Sequence, residues 1–303
     1  MTDVPLADTF QFDAQGFIVL RGVLDADRCA RYRVELDRLF EQTYDDAWLQ
    51  QEGIKGQTTV QLTQGQRRLN GLPLWTDMFD EVISFAPVVE RLREWMKQPQ
   101  LVNTWAIDKT QGTPWGGWHR GLTPDDYNVR HGKIRTRMLN CVYLLTDNGP
   151  DDGCLALVPG AHKSEIDLDL ADYRGRELPG TMRVTGKAGD VVMFSETLLH
   201  TGVPILTDNV RYTMFYGFTP PWMRVRSSTP GHAPSASAHS AQRCACLGVE
   251  DGCRQLRSRR HSCRRCPATG RLPNQLRSRH RERFRWPREN WCRRAKPSVC
   301  RFR

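Results

Sequence analysis

Short strand-like segments separated by turn signals occupy the chain from Pro99 to Phe218, and they constrain its fold more than any other feature. Each segment is apolar or β-branched and ends near a glycine- or proline-containing turn such as Asn148-Gly149-Pro150. The segments are residues 101–107, 137–145, 154–158, 182–185, 191–194 and 211–218. A series of short strands broken in this way predicts a β-sandwich or a β-barrel.

Helical patterns precede most of these strands. Residues 16–20 are typical of a short buried strand, and Asp25 then stands at the N-cap position of an amphipathic helix predicted to about Thr43. A second amphipathic helix is predicted over residues 81–96, and the polar, glycine-containing residues 53–73 are predicted to form a surface loop. Helices followed by strands indicate a mainly β fold in which flanking helices buttress an antiparallel sheet.

The chemical composition changes abruptly at Arg224 and divides the chain in two. Residues 224–303 contain 20 arginines and one lysine against four acidic residues, and they hold seven of the ten cysteines. Residues 1–223 contain 23 basic and 30 acidic residues, so the formal charge of +10 comes from the second part. We therefore predict a folded domain over residues 1–223 and a disordered tail over residues 224–303, because the tail has too few branched aliphatic residues to form a core.

The composition of the tail has competing interpretations. An arginine-rich segment can bind nucleic acid through its phosphates, and Cys263 with Cys266 resembles half of a zinc site. The same composition is that of GC-rich DNA translated out of frame, and it begins just after the last predicted strand. We favour a frameshift, so no nucleic-acid partner is expected. The intact mass of the native protein tests this hypothesis, since a mass equal to that of all 303 residues would contradict it.

Several classes of protein are excluded by features that the sequence lacks. No apolar run approaches the ~20 residues that span a bilayer, and the N-terminal segment lacks the basic and apolar regions of a secretory signal. Cys29, Cys141 and Cys154 are too scattered for a disulfide framework, which predicts a cytoplasmic protein. Dinucleotide-binding, Walker A and serine-hydrolase motifs are absent from the sequence. No oligomeric state is predicted.

Two distant histidines and an arginine are the candidate chemical groups of the domain. His119 follows a segment of tryptophan and glycine, and His200 follows the strand predicted over residues 191–194. Arg211 and Thr213 are two positions apart on the last predicted strand, so their side chains lie on the same face of the sheet. Two neutral imidazoles suit Fe(II), and a guanidinium with a hydroxyl suits a carboxylate. The pattern predicts an iron site beside an anion site, where a 2-oxo acid contacts the metal at one end and Arg211 at the other.

The domain resembles the phytanoyl-CoA dioxygenase family of Fe(II)- and 2-oxoglutarate-dependent oxygenases. The similar segments occur in the family's order and are residues 12–24, 118–119, 143–147, 152–163 and 189–194, followed by His200 and Arg211. The resemblance implies a double-stranded β-helix in which His119 and His200 bind iron. It implies that Arg211 and Thr213 bind 2-oxoglutarate, with Asn140 as a further contact to this co-substrate. It also implies that O2 is used to hydroxylate a small organic substrate.

One position departs from the family's first metal-binding motif. The motif is His-x-Asp, and here Gly121 stands at the position of the aspartate. In one alternative chloride takes the vacated position, as in the related halogenases. In a second, Asp125, Asp126 or water replaces the lost ligand of a hydroxylase. In a third, the protein binds metal poorly and is a non-catalytic relative. We place the oxygenase first and the halogenase second, because a glycine at this position does not by itself establish halogenation.

Overall fold

The computed structural model describes residues 4–41, 60–63, 65–166 and 168–223. The predicted tail, residues 224–303, lies outside the described residues, as does the part of the predicted surface loop before residue 60. Within the described ranges, no helix combines the length and the apolar character needed to cross a membrane.

Helices and strands alternate in the first third of the chain, and strands dominate after it. The helices are α1 (Leu6–Gln15), α2 (Ala26–Glu41), α3 (Leu72–Trp75) and α4 (Ala86–Met96). The strands are β1 (Phe17–Leu20), β2 (Val60–Thr63), β3 (Gln66–Asn70), β4 (Gln100–Lys109), β5 (Tyr127–Arg130), β6 (Lys133–Thr136), β7 (Leu139–Leu144), β8 (Leu155–Leu157), β9 (Met182–Val184), β10 (Val191–Ser195), β11 (His200–Gly202) and β12 (Arg211–Thr219). Short 3-10 helices lie at Asp77–Phe79, Glu81–Ser84, Pro124–Asp126, Ala161–Lys163 and Leu170–Tyr173.

The strands form two facing antiparallel sheets and a separate hairpin. The large sheet has the order β1-β10-β7-β12-β4-β3-β2, the small sheet has the order β11-β8-β9, and β5 pairs with β6. Val142 and Phe194 of the large sheet and Leu155 and Leu157 of the small sheet belong to one buried apolar cluster. This arrangement is the predicted double-stranded β-helix, and the predicted fold class is confirmed.

The helices cover the other face of the large sheet. Successive side chains of a strand point to opposite faces, so on β7 Val142 belongs to the cluster between the sheets whereas Tyr143 packs with the helices. Tyr32 of α2 and Trp95 of α4 lie in the same helix-side cluster, and both are fully buried. The helices therefore support the sheet from behind and leave the space between the sheets for the site.

The seven predicted strands and the early helix are confirmed. Each predicted strand overlaps an observed one to within a few residues. The helix α2 begins where Asp25 predicts it, because the Asp25 carboxylate accepts a hydrogen bond of 2.7 Å from the backbone N–H of Arg28.

The helix predicted over residues 81–96 is wrong in its first part. Glu81–Ser84 form a 3-10 turn, Phe85 is extended with ψ 117°, and α4 begins at Ala86. Pro87 explains the break, because proline has no N–H and its ring excludes a preceding helical turn. At the start of a helix these restrictions carry no cost.

The surface loop predicted over residues 53–73 is wrong for its described part, which forms β2, β3 and α3. Arginines occupy this hairpin in place of the apolar residues that signal a strand. Arg67 donates a hydrogen bond of 2.7 Å to Asp108, and the guanidinium of Arg68 lies 4.8 Å from the ring centroid of Trp105. Helix α1 and the β5–β6 hairpin also have no counterpart among the predicted elements.

The contact between α1 and α4 gives a stability prediction with a matched control. Phe12 is fully buried and stacks on Trp95 with ring centroids 4.2 Å apart, whereas Phe10 on the same helix is 74% exposed. Phe12→Ala should lower the free energy of unfolding by about 3–5 kcal/mol, and Phe10→Ala should change it by less than about 0.5 kcal/mol. Urea unfolding followed by circular dichroism measures both. Equal effects of the two substitutions would contradict this packing.

Candidate active site

The fold brings the two predicted histidines together at the mouth of the β-helix. The backbone N–H of each donates to the carbonyl of the other, at 3.1 Å from His119 and 3.0 Å from His200. Their ring centroids lie 4.2 Å apart. His200 begins β11 and is buried, whereas His119 lies before the β5–β6 hairpin and is exposed. The segments that carry the two imidazoles therefore run side by side, although they are 81 residues apart in the sequence.

Backbone carbonyls fix which ring nitrogen each histidine presents. The Nδ1 of His119 lies 2.8 Å from the carbonyl oxygen of Gly117, and the Nδ1 of His200 lies 2.9 Å from that of Leu198. A carbonyl accepts only from a protonated nitrogen, so each neutral ring keeps a free lone pair on Nε2. Burial and the neighbouring His119 lower the pKa of His200 to about 3, which keeps this imidazole neutral. Both rings therefore have a nitrogen that could bind a metal ion.

A carboxylate that the sequence analysis does not single out completes the group. Glu196, His119 and His200 each offer one ligand atom, and these atoms lie within 4.8 Å of one another. The amide of Asn140 donates a hydrogen bond to the carboxylate, and burial raises the pKa of Glu196 to about 7. An available signal in the sequence is an acidic residue directly after an apolar strand and four positions before His200.

Gly121, Asp125 and Asp126 are the positions that the sequence analysis considers for the third iron ligand, and their surroundings differ. A Cβ built on Gly121 would lie 2.6 Å from Cγ and 2.9 Å from Cδ of Glu196, so the Glu196 side chain fills this position. Asp126 accepts hydrogen bonds from the backbone N–H of Thr123 and from the guanidinium of Arg137, and it lies outside the group formed by Glu196 and the two histidines. Asp125 is exposed and lies outside that group.

Two buried basic side chains lie at the predicted anion site. Arg211 begins β12 and is paired in register with Lys109 at the end of β4; both are less than 10% exposed. A Cβ on Gly202 would lie 3.1 Å from Nζ of Lys109 and 3.9 Å from Nη1 of Arg211. Burial and the charge of Arg211 lower the pKa of Lys109 to about 7, and burial lowers the pKa of Arg211 to about 10. An anion bound beside the two side chains would raise both pKa values again.

The described part of the chain gives these cations no acidic partner. The described ion pairs involve neither Lys109 nor Arg211, and the Nε of Arg211 is buried without a hydrogen-bond partner. Thr213 is buried two positions from Arg211 on the same strand. Asn140, predicted as a contact to the co-substrate, has its amide directed at Glu196. Lys109 was not predicted, because only the β4–β12 register brings it next to Arg211.

Two imidazoles and a carboxylate lie together, with two buried cationic side chains nearby, so a metal ion and an anionic co-substrate could bind side by side. The donor set fits Fe(II), because two histidines and one carboxylate are the ligands of this class of iron site.

The family model of phytanoyl-CoA dioxygenase (PhyH) matches residues 12–213, and the chain belongs to this family. It is an iron- and 2-oxoglutarate-dependent dioxygenase. The ectoine dioxygenase of Stutzerimonas stutzeri (strain A1501) is 24% identical over 231 residues, which cover 68% of this chain and 74% of that protein. The ectoine dioxygenase of Bordetella bronchiseptica is 31% identical over 105 residues, which cover 27% of this chain and 33% of that protein.

Solved structures share the fold. HygX from Streptomyces hygroscopicus with nickel and 2-oxoglutarate bound has a TM-score of 0.60 and 21% identity, covering 75% of this chain and 93% of that chain. The epimerase SnoN from nogalamycin biosynthesis has a TM-score of 0.54 and 16% identity, covering 75% of this chain and 94% of that chain. The halogenase alternative is not favoured over the oxygenase, since the matching family and the similar curated proteins are dioxygenases.

Proposed function

We propose that this enzyme hydroxylates a small organic molecule, with His119 and His200 as iron ligands and with Arg211, Lys109 and Thr213 holding 2-oxoglutarate. The observation that carries the proposal is the pair of imidazoles with free Nε2 lone pairs, close to Lys109 and Arg211, which have no acidic partner among the described residues. Iron, when bound, would activate O2 and drive the oxidative decarboxylation of 2-oxoglutarate. The residues of the chain supply binding, orientation and the exclusion of water.

The distance between the two ends of the site supports 2-oxoglutarate as the co-substrate. His200 and Gly202 are two positions apart on β11 and lie on one face of it. Two strand residues span roughly 6.6 Å, which is close to the length of an extended five-carbon diacid. Its far carboxylate would lie beside Gly202, where Lys109 and Arg211 meet. Arg211 would then make the planar, bidentate contact that guanidinium groups make with carboxylates.

A cavity beside Gly121 supports a small, polar primary substrate. Its volume is about 370 Å³, and Arg120, Asp125 and Glu165 contribute to its lining. This volume is in the range of sites for small organic ligands. The lining carries both signs of charge, so a molecule with polar or zwitterionic groups is a better fit than a hydrocarbon. A cytoplasmic location is part of this proposal, because Cys29, Cys141 and Cys154 are free thiols, as expected in a reducing compartment.

Formation of succinate tests the proposed function. Full-length protein purified without oxygen should convert 2-oxoglutarate to succinate when Fe(II) and O2 are supplied, at a slow rate without substrate and a faster one with it. A chelator should abolish the reaction, and Fe(II) should restore it. The rate and the products should not depend on chloride. Tight binding of Fe(II) and 2-oxoglutarate without any succinate would instead support the non-catalytic alternative.

A further inference from the structure

We propose that Glu196 is the third protein ligand of the iron and that it replaces, from a neighbouring segment, the carboxylate lost at position 121. This inference rests on the proposed function, since it concerns the same metal. It assigns a role to a residue outside the family's His-x-Asp motif.

Positions 121 and 196 are neighbours across two adjacent backbone segments. The segment from His119 to Gly121 runs beside the segment from Glu196 to His200 in the opposite direction. The backbone N–H of Gly121 donates to the carbonyl of Glu196 at 3.0 Å, and the two histidines exchange backbone hydrogen bonds at the other end. Side chains at such cross-strand positions reach the same space. A carboxylate placed at either position is therefore directed to the same side of the two imidazoles.

The two positions cannot both hold a carboxylate in the present arrangement. A Cβ on Gly121 would lie 2.6 Å from Cγ of Glu196, a separation that Cβ atoms essentially never show. An aspartate at position 121 would therefore displace the Glu196 side chain. Glycine at 121 and glutamate at 196 form a matched pair, in which loss of the first side chain makes room for the second.

The carboxylate of Glu196 has no cationic partner among the described residues, so a metal ion would be a suitable partner for it. The amide of Asn140 donates to Oε2, which leaves Oε1 free. None of the ion pairs among the described residues involves Glu196, and its carboxylate lies within reach of the two imidazoles. Glu196 is partly buried, and pairing with a cation or coordination of a metal would offset the cost of removing its carboxylate from water.

The three candidate ligand groups need to move only a short distance toward one another to bind one metal ion. The three candidate ligand atoms lie within 4.8 Å of one another. Two bonds of about 2.1 Å to one ion allow ligand atoms to be up to ~4.2 Å apart. A small side-chain rotation of Glu196 or of exposed His119 closes this difference, while the backbone carbonyls and Asn140 keep the groups oriented.

A carboxylate-exchange experiment tests the proposal by the affinity for Mn(II), a redox-inert substitute for Fe(II). Calorimetry would compare full-length wild type with Glu196→Ala, Glu196→Gln and the double variant Gly121→Asp/Glu196→Ala, each checked for folding by thermal melting. Glu196→Ala and Glu196→Gln should weaken Mn(II) binding by more than the ~10–100-fold that loss of an outer-shell partner costs. The double variant should recover most of the affinity, because its aspartate takes the space that the glutamate leaves. A merely structural role of Glu196 gives no such recovery.

The controls separate this proposal from its alternatives. Asp125→Ala and Asp126→Ala should leave the affinity for Mn(II) unchanged, and a large loss in either would assign the third ligand to that residue instead. If Glu196→Gln binds Mn(II) as tightly as the wild type, Glu196 is not the third ligand. The proposed function would not be affected by that result. Failure of the wild type itself to bind Mn(II) in the presence of 2-oxoglutarate would overturn both.

Discussion

Replacing His200 with alanine should abolish metal binding and succinate formation. This imidazole is buried at the start of β11, and its Nδ1 is held by the carbonyl of Leu198, so its Nε2 is the best oriented donor of the site. We expect the iron content after reconstitution to fall from about one per chain to near zero, and the rate to fall by at least ~1000-fold. Metal analysis after desalting and a succinate assay measure the two effects.

His131→Gln is the matched control for this prediction. His131 is an exposed histidine in the turn between β5 and β6, where its φ of 52° is compatible with glutamine at modest cost. Its substitution should leave the iron content at the wild-type level. Retention of iron by His200→Ala, with an unchanged fold, would show that the metal binds elsewhere.

Removing the cationic pocket should raise the KM for 2-oxoglutarate with a much smaller effect on kcat. Arg211 and Lys109 are both buried and converge beside Gly202, and the described residues offer them no acid. Truncation of one partner of a buried charge pair costs about 2–5 kcal/mol, so Arg211→Met should raise the KM by roughly 30-fold or more, and Lys109→Met should act in the same direction. Initial rates of succinate formation at varied 2-oxoglutarate measure the change.

Two comparisons make the effect of the pocket specific. Lys187→Met removes an exposed lysine that is paired with Asp147, and it should leave the KM unchanged. A 2-oxo acid without the far carboxylate should be a poor co-substrate for the wild type, and Arg211→Met should lose most of this discrimination. An unaltered preference for the diacid in Arg211→Met would contradict the assignment of the pocket.

The strands of the domain could be predicted because burial on a sheet leaves a local pattern. Residues 191–194 and 211–218 are apolar runs bounded by turn residues, and β10 and β12 lie there. The hairpin β2–β3 carries no such pattern, because Arg67 and Arg68 are stabilised by Asp108 and by the ring of Trp105. Those partners are about forty residues away in the sequence and are known only from the register of the sheet.

The residues of the site also differ in how far the sequence alone identifies them. His119, His200 and Arg211 could be singled out as candidates because they lie in segments that resemble the family's motifs. Glu196 carries only a weak local signal and Lys109 carries none, since the proposed role of each depends on which backbone segment lies beside its own. Glu196 is recognisable only once position 121 is seen across from it, and Lys109 only once β4 pairs with β12. Asp125 and Asp126 are candidates by proximity to His119 in the sequence, and they lie on a 3-10 turn outside the group formed by Glu196 and the two histidines.

The most direct test of this account is the position of a metal in crystals grown with Mn(II) and 2-oxoglutarate in the absence of oxygen. Anomalous difference density should show one ion bonded to Nε2 of His119, Nε2 of His200 and a carboxylate oxygen of Glu196. The far carboxylate of 2-oxoglutarate should lie against Arg211 and Lys109. An ion away from the two imidazoles, or a co-substrate whose carboxylate avoids the two cations, would contradict the account.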